Sequence, residues 1–310
     1  MKQSLEAGPR SPTEAERVPT WRRLRRRLFY GIVRVLTAQL RRSPREIARA
    51  ELRFLSSFAW WTRRAERRIA LGQLECAFPV SNAGERKALA KASLLNLADA
   101  LLDSLRDDRG VWIAAEDRAR LLALAESGEP LVLLTSHLGA WELLGGWLAS
   151  NLGTVAVVTA DPHNRHVDQW LRAERMRKGL RSFDRRRERW GAARWLKRGG
   201  CLALLADHRS AVSSTMAPWF GSPAPTALGP ARLCRWSGAT AVAVGIRRDP
   251  AGHRVFLGAH LRWRDDDDEL SFTTRCNQAL EELIRRAPSE WTWFHRRYDE
   301  LPVASARRLH

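Results

Sequence analysis

The sequence predicts an α/β protein: a single domain with a mainly parallel central sheet flanked by helices, plus a basic amphipathic helical N-terminal arm. Three observations carry that expectation. Five apolar runs have strand length: LVLLTSH (131–137), VAVVTA (155–160), CLALLAD (201–207), TAVAVGIRR (240–248) and RVFLGAHLR (254–262). Helical periodicity fills most of the intervals, at 139–150, 167–178, 190–198 and 226–237, which is the alternation of a parallel sheet. Ahead of the first run, basic and apolar residues segregate onto opposite helical faces.

Taken in order, residues 1–20 mix Pro, Ser, Gly and Glu without a period and read as a disordered tail. WRRLRRRLFYGIVRVLTAQLRR then sets Leu28, Ile32, Leu36 and Leu40 four apart, with Phe29 and Val33 beside them. That is an amphipathic helix with a strongly basic leading end. SFAWWTRRAERRIA, Ser57 to Ala70, repeats the character; these helices are either a lid packed on the core or an interfacial anchor, with 21–70 expected to associate with a membrane surface and 71–302 to form the main domain. Residues 83–127 read as helices ending at the turn-like ESGEP. RDDDDE, Arg264 to Glu269, is a surface turn, a last helix covers 271–286, and 303–310 is a tail. Nothing repeats internally, and no linker divides the chain.

Composition narrows the function classes. The 310 residues carry a formal charge of +19, and two segments supply all of it. Residues 1–75 hold 18 Lys/Arg against 7 Asp/Glu, and residues 161–200 hold 13 against 5. Two basic zones on a neutral body suit an anionic partner: headgroups, an acidic carrier, a phosphorylated substrate or nucleic acid. No recognised nucleic-acid module accompanies the charge, so nucleic acid is not the expected partner. Cys76, Cys201, Cys234 and Cys276 lack metal-ligand spacing and suit a reduced, cytosol-facing chain. The first 27 residues lack the apolar core of a secretory signal, and no run of 18 apolar residues suggests a membrane-spanning helix. Several of the 14 tryptophans (Trp21, Trp61, Trp195, Trp236, Trp263) stand beside arginine, as at a membrane interface, although core packing explains most of them equally well.

The chemistry gathers at TSHLGAWELLGGW, Thr135 to Trp147. On one continuous helix, His137 and Glu142 would lie about 140° apart and could not face each other. With His137 at a strand end and Glu142 about a turn into the next helix they could converge, Gly139 easing the bend. Two strand runs end in ionisable residues, His137 and Asp207, and sites in α/β sheets gather at such ends. Histidine is suited to take a proton near neutrality, and a carboxylate can hold its tautomer. No G-x-S-x-G and no cysteine in a promising loop supplies a nucleophile. A histidine–carboxylate pair without one activates a hydroxyl on the substrate, which is the chemistry of direct acyl transfer. His163 and His166 have a metal-like spacing but no third ligand, so neither a metal nor a cofactor is expected.

SHLGAWE resembles the H-x4-D/E signature of the glycerolipid acyltransferase superfamily, and specifically its lipid A late acyltransferases. Three later blocks agree in order. NRHVDQWLRAERMRKG (Asn164 to Gly179) resembles the family's Asn-x-x-x-Asp and Arg-x-x-x-Gly segment. LLADHRSAVSSTMAPWFGSPAPTALGPARL (Leu204 to Leu233) resembles its aspartate, Phe-Phe-Gly and Ala-x-Thr block. APSEWTWFHRRYDELP (Ala287 to Pro302) resembles the closing Trp-x-His-Arg-Arg segment. The chain departs from the pattern at Ser136, usually Asn, at His208, usually Gln, and at Trp219, usually Phe; Arg34 lies where many members have a membrane-spanning anchor.

The resemblance implies His137 as general base, Glu142 as its orienting partner, and Arg175 and Asp207 as active-site residues. It implies substrate contacts at Ser136, Gly139, Trp141, Gly221 and Arg296. For Arg175 a surface charge, and for Asp207 a helix cap, are the structural alternatives. His295, Arg296 and Arg297 either bind phosphate or hold the C-terminal segment on the core. The implied reaction moves a fatty acyl chain from acyl carrier protein, or from coenzyme A, to a hydroxyl of an anionic glycolipid such as a lipid A precursor. Its implied place is the cytoplasmic face of a bacterial inner membrane.

Overall fold

The computed structural model describes residues 20–159, 164–210 and 213–300. Four helices come first: α1 (Thr20–Arg42), α2 (Arg45–Thr62), α3 (Arg64–Ala77) and α4 (Ala83–Arg106). Pro44 separates the first two, since a proline cannot donate the next helical hydrogen bond. Asn82 starts α4 with a capping box, its side chain accepting from the Glu85 amide while Glu85 accepts from the Asn82 amide. There follow β1 (Val111–Ile113), α5 (Ala115–Glu126), β2 (Leu131–Thr135), α6 (Trp141–Leu152), β3 (Val155–Thr159), α7 (Arg165–Arg177), β4 (Leu180–Asp184), α8 (Arg189–Lys197) and β5 (Cys201–Leu205). The chain finishes with a hairpin, β6 (Ser214–Trp219) and β7 (Ser222–Ala227), then α9 (Gly229–Ser237), β8 (Thr240–Asp249), β9 (Gly252–Leu261) and α10 (Glu269–Arg286).

One sheet has the order β1-β9-β8-β2-β5-β3-β4. The expected α/β class holds, and the five expected strands are all in this sheet. β8, β2, β5, β3 and β4 run parallel, while β9 is antiparallel to β8. All five residues of β2 are buried, as a central strand covered on both faces requires. One apolar cluster packs α10, α9 and the C-terminal tryptophans against one face, and a second lies beneath α5 and α6 on the other. His163 and the tails before residue 20 and after residue 300 lie outside the described residues.

The arm is tied to the main domain by charge. Arg49 and Arg53 of α2 both hold Asp99 of α4, with Nη2–Oδ2 distances of 3.1 and 2.8 Å. Arg45 reaches Asp103, which also takes Arg248 at 2.7 Å and His253 at 2.9 Å. α1 lies along α7: Asn164 Nδ2 donates to Arg26 O at 2.9 Å, and Arg41 pairs with Glu174 at 3.0 Å. Between exposed arginines, this leaves apolar side chains outward. Trp21, Leu24, Leu28, Ile32 and Val35 form one exposed stripe on α1, and Phe54, Phe58 and Trp61 another on α2. Leu40, expected at the end of the α1 face, is buried instead. No helix among the described residues is long and apolar enough to cross a membrane.

Candidate active site

β2 and β5 are neighbours in register, with Thr135 paired to Leu205. Two residues beyond each strand end stand His137 and Asp207, so the parallel pairing brings them together across 70 residues of sequence. The His137 amide donates to Asp207 Oδ2 at 2.9 Å, and Nδ1 of its ring lies 2.9 Å from Oδ1. Trp291 Nε1 donates to the same Oδ2 at 2.8 Å. Asp207 is fully buried. Burial pushes its pKa up, but the charge and hydrogen bonds of His137, helped by His208, more than offset that and hold it well below the usual carboxylate range. An ionised Asp207 places the proton on Nδ1 and leaves Nε2 as the free acceptor.

The residue expected to orient His137 has a different partner, and the expected His–Glu pair is not seen in the geometry. Glu142, in the first turn of α6, takes both arms of Arg175: Nε at 3.1 Å and Nη2 in a shorter contact. The carboxylate on the imidazole is Asp207, not Glu142. Both pairs sit at the carboxyl edge of the sheet, joined through Trp141, whose ring meets His137 edge to face at 5.1 Å.

Other expected residues divide. Gly139 is buried at φ +56, and a Cβ there would stand 2.4 Å from Ile246 O. Its amide donates to Glu290 O at 3.0 Å. What the structure shows is a backbone that only glycine can follow. Ser136 is buried, its hydroxyl without a partner among the described residues. Gly221 and Phe220 form the tight β6–β7 turn, both at positive φ, and no contact brings Gly221 to His137. Of the arginine pair, Arg297 is the buried structural one, donating to Pro225 O and Thr226 Oγ1 at 2.6 Å each. Arg296 is exposed and donates to Asp299 O at 2.6 Å.

The C-terminal segment also walls the site. Leu138 bridges to Trp291, and Thr292 Oγ1 donates to His137 O at 2.8 Å. Trp291 and His208 escaped the sequence reading as site residues, whereas His295 was expected either to bind phosphate or to hold the C-terminal segment. For Trp291, the repeated indole of WTW, able to bury a donor, was the available signal. His208 stacks on His137, with ring centroids 3.7 Å apart and planes 7° apart, and His295 stacks on His208 at 3.6 Å.

His137, Asp207 and His208 bring three ligand-type atoms within 4.8 Å of one another. Nearly parallel rings send their in-plane lone pairs side by side rather than toward one ion, and the histidine nitrogen on Asp207 is already committed to a hydrogen bond. The arrangement fits a proton-transfer pair better than a metal site. Burial pushes the Cys201 and Cys234 thiols up to about 12, so neither is a ready thiolate.

A strand-end histidine on a buried carboxylate, with no hydroxyl or thiol bonded to its ring among the described residues, fits an enzyme that activates an incoming hydroxyl. Residues 16–300 match the family described as Bacterial lipid A biosynthesis acyltransferase, and the chain belongs to that family; it is an acyltransferase. It is 27% identical over 249 residues to a lipid A biosynthesis palmitoleoyltransferase of Escherichia coli (strain K12), covering 77% of this chain and 80% of the relative. It is 26% identical over 256 residues to a lipid A biosynthesis lauroyltransferase of the same strain, with the same coverage. A lipid A biosynthesis acyltransferase of Haemophilus influenzae (strain ATCC 51907 / DSM 11121 / KW20 / Rd) matches at 24% over 253 residues, covering 76% and 79%.

Proposed function

We propose that the protein transfers a fatty acyl chain from acyl carrier protein to a hydroxyl of a lipid A precursor, at the cytoplasmic face of a bacterial inner membrane. The observation that carries the chemistry is the hydrogen bond between His137 Nδ1 and buried Asp207, which leaves Nε2 free. Nε2 takes the proton of the acceptor hydroxyl, and the oxygen forms a bond to the thioester carbonyl carbon. The start of α6 has no side-chain cap, and ahead of the Leu143 amide, which bonds Ala140 O, the Trp141 and Glu142 amides can serve the oxyanion. The tetrahedral intermediate collapses, the C–S bond breaks, and the leaving thiolate takes the proton back from His137. Asp207 orients the imidazole and stabilises the imidazolium. Arg175, held by Glu142, supports an anionic acceptor group beside the acyl thioester.

Two features support the donor and the location. The exposed run Arg185, Arg186 and Arg187 follows β4 at the same sheet edge as His137. It lies three strands over, about 14 Å at the usual strand spacing, within reach of an acidic carrier. The leading end of α1 also meets that edge through Asn164, and Trp60 of α2 packs edge to face on Phe294, next to His295. The outward stripes of both helices therefore flank the site, where an apolar acceptor would be drawn from a bilayer. The test is a steady-state comparison of acyl carrier protein and coenzyme A thioesters of one acyl chain, with a lipid A precursor as acceptor. A carrier preference lost at high salt supports the reading. Equal use of both donors without salt dependence overturns the carrier assignment.

A further inference from the structure

We propose that His208 is a positioning residue for His137, clamping its imidazole face-on and presenting a π face to the imidazolium that forms during acyl transfer. The inference rests on His137 acting as the base. The geometry is a column of three imidazoles, His137, His208 and His295, with successive centroids 3.7 and 3.6 Å apart and interplanar angles of 7° and 16°. A hydrogen bond at Nδ1 fixes one atom of the His137 ring but leaves its tilt free. His208 covers a face and Trp141 meets the ring edge to face at 5.1 Å, so the tilt is fixed as well. Nε2 is then aimed rather than merely available.

His208 is an unusual choice for packing alone. Its Nε2 is buried without a hydrogen-bond partner among the described residues, an arrangement an apolar ring would avoid. The groups acting on it are Asp207, His137, His295 and Arg297. Burial pushes its pKa down to about 3; Asp207 opposes this, and His137, His295 and Arg297 add to it. His208 is therefore neutral wherever His137 works. A neutral ring within 6 Å attracts a cation over its face more than it attracts the uncharged ring that precedes proton transfer. The contact strengthens as the proton arrives, so its benefit falls on kcat rather than on substrate binding.

The experiment compares His208→Ala, His208→Phe and His295→Ala in full-length protein with acyl carrier protein thioester and lipid A precursor. Expected are a roughly tenfold loss of kcat for His208→Ala with KM for both substrates within about twofold, recovery to within about threefold in His208→Phe, and about a twofold loss in His295→Ala. Proton NMR of the substrate-free protein supplies a second readout, because stacking shifts the His137 ring protons upfield; that shift disappears in His208→Ala and persists in His208→Phe. A folded His208→Ala with unchanged kcat, or equal losses in Ala and Phe, overturns the proposal. If wild type transfers no acyl chain, the functional reading fails, and the ring shift still decides whether the stack exists.

Discussion

Replacing Asp207 with Asn tests the pairing that the structure substitutes for the one expected from sequence. The side chain keeps its shape but loses its charge and one acceptor. Two donors, the His137 amide and the Trp291 indole, converge on Oδ2 at 2.9 and 2.8 Å, so the amide oxygen of Asn settles there. Its NH2 group then faces His137 Nδ1, where Oδ1 stood at 2.9 Å. Two donors cannot share that position. Nδ1 must become the acceptor, and the ring proton moves to Nε2, the atom that has to receive the substrate's proton. The same Asp-to-Asn change in hydrolytic triads costs about 10⁴ in kcat, so a loss of about 10³–10⁴ is expected here, or about 4–5.5 kcal/mol at 1.36 kcal/mol per decade. Folding should survive, because a mispaired buried amide costs only about 1–3 kcal/mol. Glu142→Gln leaves the His137 contacts alone and should cost about tenfold through the weaker hold on Arg175. The assay is steady-state transfer of a labelled acyl chain, with thermal melts of each variant. A folded Asp207→Asn within tenfold of wild type, or a folded Glu142→Gln as damaging as Asp207→Asn, would refute the reasoning.

Glu142→Ala and Arg175→Ala should behave as one unit. Each should lower kcat/KM by about 10–100-fold, and the double variant should be no worse than the poorer single one; additive losses would show that the two act separately. Acid should loosen the arm. Burial raises the pKa values of Asp99 and Asp103, but hydrogen bonds and charge from Arg53 and Arg49 at Asp99, and from His253, Arg248 and Arg45 at Asp103, leave both lowered. The folded values lie below the unfolded ones, so their contribution is complete above about pH 4 and is lost as pH falls through the folded values. Asp99→Asn should cost about 1–3 kcal/mol at pH 7 in urea melts and flatten the acid dependence; an unchanged profile contradicts the linkage. Phe58→Asp with Trp61→Asp should weaken partitioning to anionic vesicles tenfold or more, since each such side chain is worth up to about 1.5–3 kcal/mol when buried; equal pelleting would move the contact elsewhere. Arg185→Glu with Arg187→Glu should raise KM for the carrier donor at low salt and leave kcat unchanged, and a fall in kcat at constant KM would argue against a docking role.

The core strands were readable because burial on both faces makes them continuous apolar runs, as in LVLLT and CLALL. β4 was not, because LRSFD is an edge strand with an exposed arginine and no such run. β1 has three residues, and β6 and β7 hold Pro218, Pro223 and Pro225, which obscure a strand pattern. Strand-end position found both His137 and Asp207. Their pairing was hidden, because register across 70 residues leaves no local mark, whereas Glu142, five positions from His137, is the carboxylate that sequence proximity offers. The histidine column was illegible for the same reason: its rings come from the ends of β2 and β5 and from the C-terminal segment, three places that only the fold joins.

The most direct test of the account is mass spectrometry of a lipid A precursor incubated with purified protein and acyl carrier protein thioester. The account predicts a mass gain of one ester-linked acyl chain with wild type and a rate about 10²–10⁴-fold lower with folded His137→Ala. An unmodified precursor with active, folded wild type, or an undiminished rate in His137→Ala, would contradict it.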